Sequence, residues 1–380
     1  MDISGRDTVG KPCGHVTEQR GWVGMDTIRY AVIGMGSVAE NRIVKEGFAR
    51  DRKRFKSLRS AELVGVTDIR GECRRSADSL GVPWFDSPED IFGNQGIDAV
   101  IIATDNPSHY PLARQAIEAG KHCMIEKPMT TRYDDALELQ NLARSKRISL
   151  SVNHPWQFNA FNVLSRNLLS AGRIGKVHSL CLHMEVSYGA TDEEAASWRC
   201  SRPEALGGPI GDLGSHCFYM AEFLLASTIA RLSCVYYPRT LDIAVENGAY
   251  IRFVTENGTA GSIRVAFSES RGGLLSSLLS LGYEAYGSDG VLRSFASLFQ
   301  LSGHEDEPAP VRVEVEDEKG TEHYAIAQNE IRNIYQSSIL RHANSILSGE
   351  LLDGTEGVHN VRLIARAHES AQKNGCQLWM

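Results

Sequence analysis

The chain lacks any apolar stretch long enough to cross a bilayer, which takes about 20 residues. Residues 274–281 are apolar, but serines interrupt them and the run is far too short. Residues 1–26 contain acidic residues and glycines and have no apolar core of a signal peptide. We therefore expect a cytoplasmic protein with no membrane partner, in which residues 1–26 are a flexible N-terminal extension.

A strong charge of one sign is also missing. The 380 residues include 40 lysines and arginines and 47 acidic residues, a net charge of −7, which argues against a nucleic-acid partner. The basic run at 50–56 is short and interrupted, so we expect a solvated surface. A hydrophobic content of 42% is typical of globular proteins, and the length favours two domains.

The cysteines form no C-x-x-C pair, and the histidines have no metal-ligand spacing. A disulfide framework is unusual in a chain of this size. We expect reduced, buried thiols and no bound metal. The eight cysteines stand at positions 13, 73, 123, 181, 200, 217, 234 and 376.

One short segment carries a strong signal. Residues 30–39 read Y-A-V-I-G-M-G-S-V-A, an apolar run that ends in a G-x-G-x-x-A turn before a helix-compatible stretch. Gly34 permits the tight turn, and Gly36 lets backbone N–H groups approach a pyrophosphate at the positive end of the helix. The pattern predicts a dinucleotide-binding loop consisting of Gly34, Met35, Gly36, Ser37 and Val38.

An acidic residue, Asp68, ends the second predicted strand and is followed by Ile69 and Arg70. A carboxylate there accepts hydrogen bonds from ribose hydroxyls and repels a 2′-phosphate, which favours NAD over NADP. The charged segment 46–58 reads as an insertion that explains the long spacing from Gly36. Two alternatives stay open: Arg70 tolerates a phosphate, and Asp68 caps the next helix.

Hydrophobic periodicity divides the chain at residue 152. Before it, strands alternate with helices, as in a doubly wound parallel sheet. After it, longer strands predict an α+β domain with a large open, mostly antiparallel sheet, and Asn257-Gly258 predicts a hairpin turn. Residues 303–322 predict a surface strand and loops. We expect an extension at 1–26, a dinucleotide-binding Rossmann domain at 27–152 and a substrate and oligomerisation domain at 153–380.

The predicted elements are as follows. Strands are expected at 28–33, 62–67, 99–103, 122–125, 148–152, 177–188, 232–237, 249–255, 261–268 and 282–286. Helices are expected at 111–119, 134–143, 161–169, 331–347 and 358–373.

Further motifs resemble those of the glucose–fructose oxidoreductase/inositol dehydrogenase (Gfo/Idh/MocA) family. Residues 119–128, A-G-K-H-C-M-I-E-K-P, are similar to its A-G-K-H-V-x-x-E-K-P signature. Residues 207–216, G-G-P-I-G-D-L-G-S-H, are similar to its G-G-G-x-x-x-D-x-G-x-H motif. Residues 103–109 resemble its loop beside the cofactor, and residues 367–371 its closing helix. The resemblance covers residues 27–380.

Hydride removal from a carbinol carbon needs a base for the hydroxyl proton and a positive group near the developing oxyanion. Asp212 and His216 are four residues apart, so on a helix they share one face. The resemblance implies that Lys127, Asp212 and His216 form the catalytic set. His216 would be the acid/base, Asp212 its partner and a substrate contact, and Lys127 the donor that polarises the substrate oxygen.

The resemblance also implies further binding residues. Glu126 would lie near the nicotinamide ribose or support Lys127, and His109 fits a structural hydrogen-bonding role. Gln157-Phe158 replaces an R-F pair that family members often carry, which leaves the substrate open and argues against an anionic one. Expected cofactor contacts are Ala103, Thr104, Asn106, Pro107, His109, Glu126 and Lys127. Expected substrate contacts are Lys127, His154, Trp156, Trp198, Arg199, Asp212 and His216.

Together these features predict an NAD-dependent oxidoreductase, with NADP open, that interconverts a secondary hydroxyl and a ketone on a sugar, sugar derivative or cyclitol. Two alternatives remain: a lyase or glycosidase that retains and recycles its NAD, and a non-enzymatic NAD(H)-binding regulator. A large open sheet needs cover on its outer face, so we expect a homodimer or homotetramer.

Overall fold

A computed structural model of the chain describes residues 26–268, 281–298 and 311–380. The expectations for residues 1–25, 274–280 and 303–310 lie outside the described residues.

The first part of the chain folds around a five-stranded parallel sheet in the order β2-β1-β3-β4-β5. All residues of β3 and β5 are buried, as a parallel sheet covered on both faces requires. The predicted doubly wound sheet is confirmed. Its strands are β1 (Ile28–Ile33), β2 (Ala61–Thr67), β3 (Ala99–Ile102), β4 (His122–Glu126) and β5 (Leu150–Asn153).

Helical segments connect these strands. The first, Ala39–Gly47, has π-helical geometry, and a 3₁₀ turn spans Gly71–Cys73. The α-helices are α1 (Arg74–Ser79), α2 (Pro88–Gly93), α3 (Asn106–Glu118) and α4 (Tyr133–Lys146).

Two features depart from the sequence reading. Helix α3 begins at Asn106 rather than 111, because Pro107 occupies the first turn, where a missing N–H costs no hydrogen bond. The basic run is only partly solvated. Phe55 is buried, and the Arg50 guanidinium donates to the carbonyl of Leu63 on β2. These two anchors hold the run against the sheet.

The second part contains a nine-stranded sheet in the order β13-β12-β11-β10-β6-β9-β8-β7-β14, antiparallel except between β6 and β9. This confirms the predicted large, mostly antiparallel sheet. Its strands are β6 (Val177–Ser187), β7 (Ile229–Tyr236), β8 (Gly248–Thr255), β9 (Ala260–Ser268), β10 (Leu281–Gly287), β11 (Val291–Phe295), β12 (Arg312–Asp317), β13 (Gly320–Tyr324) and β14 (Leu378–Trp379).

Alternate residues of this sheet face a core. On β6, Leu180, Leu182 and Met184 are buried, while Cys181 and His183 between them are partly exposed. The hairpin between β8 and β9 turns at the predicted place, with Gly258 at φ +87°.

The second part of the chain also contains α-helices. They are α5 (Ala160–Ser170), α6 (Asp192–Ala196), α7 (Trp198–Ser201), α8 (Ser215–Leu225), α9 (Ile334–Ser348) and α10 (Thr355–Gln372). Short 3₁₀ turns span Pro155–Phe158, Pro203–Ala205 and Gln328–Glu330, and Ile210–Gly214 is π-helical. In the described ranges, no helix combines the length and apolar character needed to span a membrane.

Helix α9 returns to the first sheet. The Tyr30 hydroxyl on β1 lies 2.9 Å from His342 Nδ1, and His342 Nε2 lies 3.2 Å from the Ser149 carbonyl oxygen. Ser149 and Ser345 share a hydroxyl hydrogen bond of 2.8 Å. Helix α9, from the last fifth of the chain, therefore completes the packing of the first sheet.

Candidate functional site

A cleft of about 1000 Å³ runs along the carboxyl ends of the first sheet and continues between the two parts of the chain. The strand order reverses at β1, which has β2 on one side and β3 on the other. Open α/β sheets bind ligands at such a reversal, beyond the carboxyl ends of the strands. The expected site residues that line the cleft are Gly34, Gly36, Ser37, Val38, Asp68, Ile69, Arg70, Ala103, Thr104, Asn106, His109, Glu126, Lys127, Trp156, Trp198, Arg199, Asp212 and His216. Three other expected residues, Met35, Pro107 and His154, do not line it.

The glycine loop fits a pyrophosphate. Gly34 has φ +98°, and a Cβ there would lie 2.6 Å from the Ala103 carbonyl oxygen, so only glycine fits. At Gly36 a Cβ would meet no protein atom within 4 Å, because this residue faces the cleft. Backbone at Gly36 is therefore open to a close-approaching phosphate group.

Asp68 binds the glycine loop from the end of β2. Its Oδ2 accepts a 2.6 Å hydrogen bond from the Met35 N–H, and its Oδ1 accepts from the Arg70 N–H and Nε at 2.8 and 3.0 Å. Burial opposes the charge, but the hydrogen bonds from Arg70 and Met35 lower the pKa of the carboxyl. Arg70 Nη2 also donates to Oδ2 at 3.1 Å, so the half-exposed Arg70 side chain binds the carboxylate that is expected to face the ribose.

Lys127 and Asp212 form an ion pair across the cleft. Lys127 follows β4, and its Nζ donates to both the carboxylate Oδ1 and the backbone carbonyl of Asp212 at 2.8 Å. Arg199 Nε lies 3.6 Å from the other carboxylate oxygen of Asp212. Burial opposes the charge of Asp212, but these two cations lower its pKa, so the residue is an anion at neutral pH.

His216 lies in the first turn of α8, and its ring stacks on Trp156 at a centroid distance of 3.7 Å. Burial, together with the charge of Lys127, holds the pKa of His216 well below its ordinary value. The imidazole is therefore neutral at pH 7 and has a lone pair that accepts a proton. In the described structure the hydrogen-bond partners of the Asp212 side chain are cations, and the imidazole contacts Trp156 instead.

A short chain of hydrogen bonds fixes the Glu126 side chain. Asn153 donates to its Oε1 at 2.5 Å, and Ser338 on α9 donates to the Asn153 side-chain oxygen at 2.6 Å. Burial raises the pKa of Glu126. His109 is buried, with Nδ1 2.8 Å from the Pro128 carbonyl oxygen, which agrees with a structural hydrogen-bonding role.

The substrate end of the cleft has aromatic walls. Trp156 and Trp198 line it, and the Arg199 guanidinium lies 4.6 Å from the Trp198 ring centre. The buried His154 instead stacks on Tyr219 at 4.2 Å.

Sequence reasoning missed several lining residues. Met184 points inward from β6, Leu213 lies between Asp212 and Gly214, and Tyr335 comes from α9, near the end of the chain. The alternation of β6 marks Met184 as inward-facing, whereas no local pattern identifies Tyr335.

Two family models match the chain. Residues 28–154 match the oxidoreductase family with an NAD-binding Rossmann fold (GFO_IDH_MocA), and residues 164–293 match the GFO/IDH/MocA C-terminal domain. The chain belongs to this family. The resemblance drawn from the sequence motifs is thereby confirmed.

Curated relatives in this oxidoreductase family are distant. The chain is 28% identical over 261 residues to the uncharacterized oxidoreductase YfiI of Bacillus subtilis, covering 62% of this chain and 63% of that protein. It is 28% identical over 267 residues to 1,5-anhydro-D-fructose reductase of Ensifer adhaerens, covering 70% and 74%. The first of these matches thus spans less than two thirds of the relative's length.

Solved structures of the same fold superpose on nearly all of this chain. An aldose-aldose oxidoreductase from Caulobacter crescentus, complexed with glycerol, superposes with a TM-score of 0.78 at 19% identity, over 93% of this chain and 100% of that one. KijD10, a 3-ketoreductase from Actinomadura kijaniata crystallised with NADP and TDP-benzene, superposes with a TM-score of 0.75 at 19% identity, over 91% and 98%.

Proposed function

We propose that this protein is an NAD-dependent oxidoreductase that interconverts a secondary hydroxyl and a ketone on a sugar, sugar derivative or cyclitol. The observation that carries the proposal is the Lys127–Asp212 ion pair beside the His216 imidazole, at the end of the cleft that begins at the glycine loop. Relatives named for activity on an anhydrofructose and on scyllo-inositol support this substrate class.

Lys127 has the donor that the reaction needs. An ammonium carries three N–H groups, and in the described structure Asp212 accepts from two of them. The third is available to a substrate oxygen, where it stabilises the negative charge that develops as the hydroxyl loses its proton. Bound NAD would supply the hydride acceptor, held by the glycine loop and Asp68.

His216 supplies the base. Its neutral imidazole accepts the hydroxyl proton during oxidation, and the resulting imidazolium returns a proton during ketone reduction. Asp212 offsets part of the positive charge that Lys127 and Arg199 bring to the site. Trp156 and Trp198 add apolar ring surface to the wall of the cleft, which suits the C–H bonds of a sugar or cyclitol ring.

The decisive experiment follows NADH absorbance with purified protein, NAD or NADP, and a panel of sugars and cyclitols. We expect reduction with NAD in preference to NADP, and a loss of about 10²–10⁴-fold in His216→Ala. His178→Ala, at an exposed position on β6, is the matched control and should retain full activity.

Two other outcomes would contradict the proposal. Conversion of a sugar without net NADH would indicate a lyase or glycosidase that recycles its cofactor. Tight NAD binding without any conversion would indicate an NAD(H)-binding regulator.

We also propose that the chain forms a homodimer or homotetramer through the outer face of the nine-stranded sheet. Tyr250 on β8, Tyr286 on β10 and Trp379 on β14 are exposed by 48%, 37% and 64%. Large exposed aromatic side chains on one sheet face favour contact with a second copy.

A further inference from the structure

We propose that Glu246 is a positioning residue that holds the backbone carrying Asp212 in its working place. Glu246 lies in the segment that precedes β8, outside the cleft, and no motif identified it. The inference rests on the proposed function, since it concerns the same site.

The contact is made at the start of the catalytic segment. Glu246 Oε1 accepts a 2.9 Å hydrogen bond from the Ile210 N–H, at the first residue of the π-helical turn that leads into α8. A carboxylate at a helix N-terminus satisfies an otherwise unpaired N–H and interacts favourably with the helix dipole.

Gly208 shows how closely the carboxylate fits. This residue has φ +81°, and a Cβ there would lie 2.6 Å from both carboxylate oxygens of Glu246. The glycine is therefore needed for the approach of Glu246, and the carboxylate packs directly on the chain two residues before Ile210.

The position of this backbone matters for chemistry. One of the two hydrogen bonds from Lys127 goes to the backbone carbonyl of Asp212, two residues after Ile210. A shift of the main chain therefore moves the Lys127 ammonium as well as the Asp212 carboxylate. Displacements of about 1 Å in such sites cost up to 100-fold in rate.

The charge of Glu246 changes near neutral pH. Burial raises the pKa of Glu246 to about 7, while the Ile210 N–H and the nearby Arg239 oppose the increase. The other groups that face the carboxylate are Tyr236 and Cys234, whose own pKa values its charge raises. A carboxylate accepts a stronger hydrogen bond from the Ile210 N–H than a neutral carboxyl group does, so this contact strengthens as the pH rises through about 7.

The test compares wild type, Glu246→Gln and the exposed-turn control Glu256→Gln between pH 5.5 and 8.5. Glutamine keeps the acceptor but not the charge. We expect the wild-type kcat to rise about tenfold through pH 7, and kcat of Glu246→Gln to stay near its low-pH level, since a charged cap is worth about tenfold. KM for NAD should change less than twofold, because Glu246 does not line the cleft.

A second readout needs no substrate. Trp156 stacks on His216, so tryptophan fluorescence reports movement of the segment. We expect a fluorescence transition near pH 7 in wild type and Glu256→Gln that Glu246→Gln lacks. The inference is wrong if the transition persists in Glu246→Gln or is missing from wild type. If no compound is turned over, the proposed function fails, and fluorescence alone decides the role of Glu246.

Discussion

The ammonium of Lys127 connects the two parts of the molecule at the point where the reaction would occur. It extends from the end of β4 and binds a residue that the second part of the chain supplies. Its partial burial is tolerated because both contacts with Asp212 are charge-assisted hydrogen bonds of 2.8 Å.

Lys127→Met should abolish most of the activity, because it keeps the aliphatic stem and removes the only donor proposed for the substrate oxygen. We expect kcat to fall by about 10²–10³-fold, the usual effect of losing one oxyanion donor. Steady-state kinetics with the preferred polyol measures this. Lys146→Ala, at an exposed position on α4, is the control, and a Lys127→Met enzyme with a tenth of normal activity would refute the assigned role.

The sequence predicts candidate site residues, but it does not predict which of them pair with one another. The family resemblance implies that Lys127, Asp212 and His216 act together, and all three line one cleft. The spacing of Asp212 and His216 predicts a shared helix face, yet Asp212 lies in a π-helical turn and binds Lys127. No sequence pattern marks a π-helical turn as clearly as the four-residue spacing marks a shared helix face. No sequence pattern at all predicts an ion pair between residues from the two parts of the chain.

Among the elements, the glycine loop has two glycines with different tasks. The fold itself requires Gly34, since a side chain at this position would collide with the Ala103 carbonyl. Gly36 leaves room for the ligand, since its Cβ position is open.

The two glycines therefore predict opposite results on substitution. Gly34→Ala should lower the melting temperature and weaken NADH binding together, by about 1–3 kcal/mol of stability for a strained φ. Gly36→Ala should leave the melting temperature unchanged and weaken NADH binding at least tenfold, because a methyl group meets the pyrophosphate. Thermal unfolding and NADH fluorescence titration measure the two effects. Equal loss of stability in both variants would contradict this division.

Long, strongly patterned elements were predictable from the sequence. Strands β1 to β10 begin and end within about three residues of their predicted bounds, because burial on one or both faces fixes their pattern. Strands β11 and β14 were missed, because β11 mixes apolar and polar residues and β14 has only two residues, so neither has the continuous apolar run of β3. The partnership of α9 with the first sheet was missed because amphipathicity shows that a helix packs but not on what.

Buried histidines make the stability of the whole molecule sensitive to acid. Burial lowers the pKa values of His154 and His342 to about 3 and those of His122 and His368 to about 4. The unfolded chain binds protons at an ordinary histidine pKa, so the stability these groups provide is present above pH 6.5 and is lost as the pH falls.

We therefore expect the free energy of unfolding to decrease by several kcal/mol between pH 7 and pH 5, up to about 2 kcal/mol for each histidine. Urea unfolding at the two pH values measures it. His368→Asn should reduce the decrease, and the exposed-site control His178→Asn should not. A stability that is flat over this range would show that the histidines are not buried as described.

Assembly through the nine-stranded sheet also belongs to the whole molecule. Light scattering coupled to size-exclusion chromatography should give the mass of a dimer or tetramer at micromolar concentration. Tyr250→Lys should shift the mass towards the monomer, since it places a second positive charge opposite Arg264 and burial of like charges in a contact is costly. A monomeric mass for the wild-type protein would contradict the proposal.

The return of α9 to the first sheet has a consequence for biosynthesis. Tyr30 and His342, which meet through a 2.9 Å hydrogen bond, are 312 positions apart. On the ribosome, the first sheet is complete in sequence at Asn153, but the helix that covers part of it begins only at Ile334. Synthesis of the intervening chain takes on the order of ten to forty seconds at typical translation rates. Throughout that interval the first sheet lacks the helix that covers part of it, and exposed apolar surface of this kind makes a nascent chain prone to aggregation.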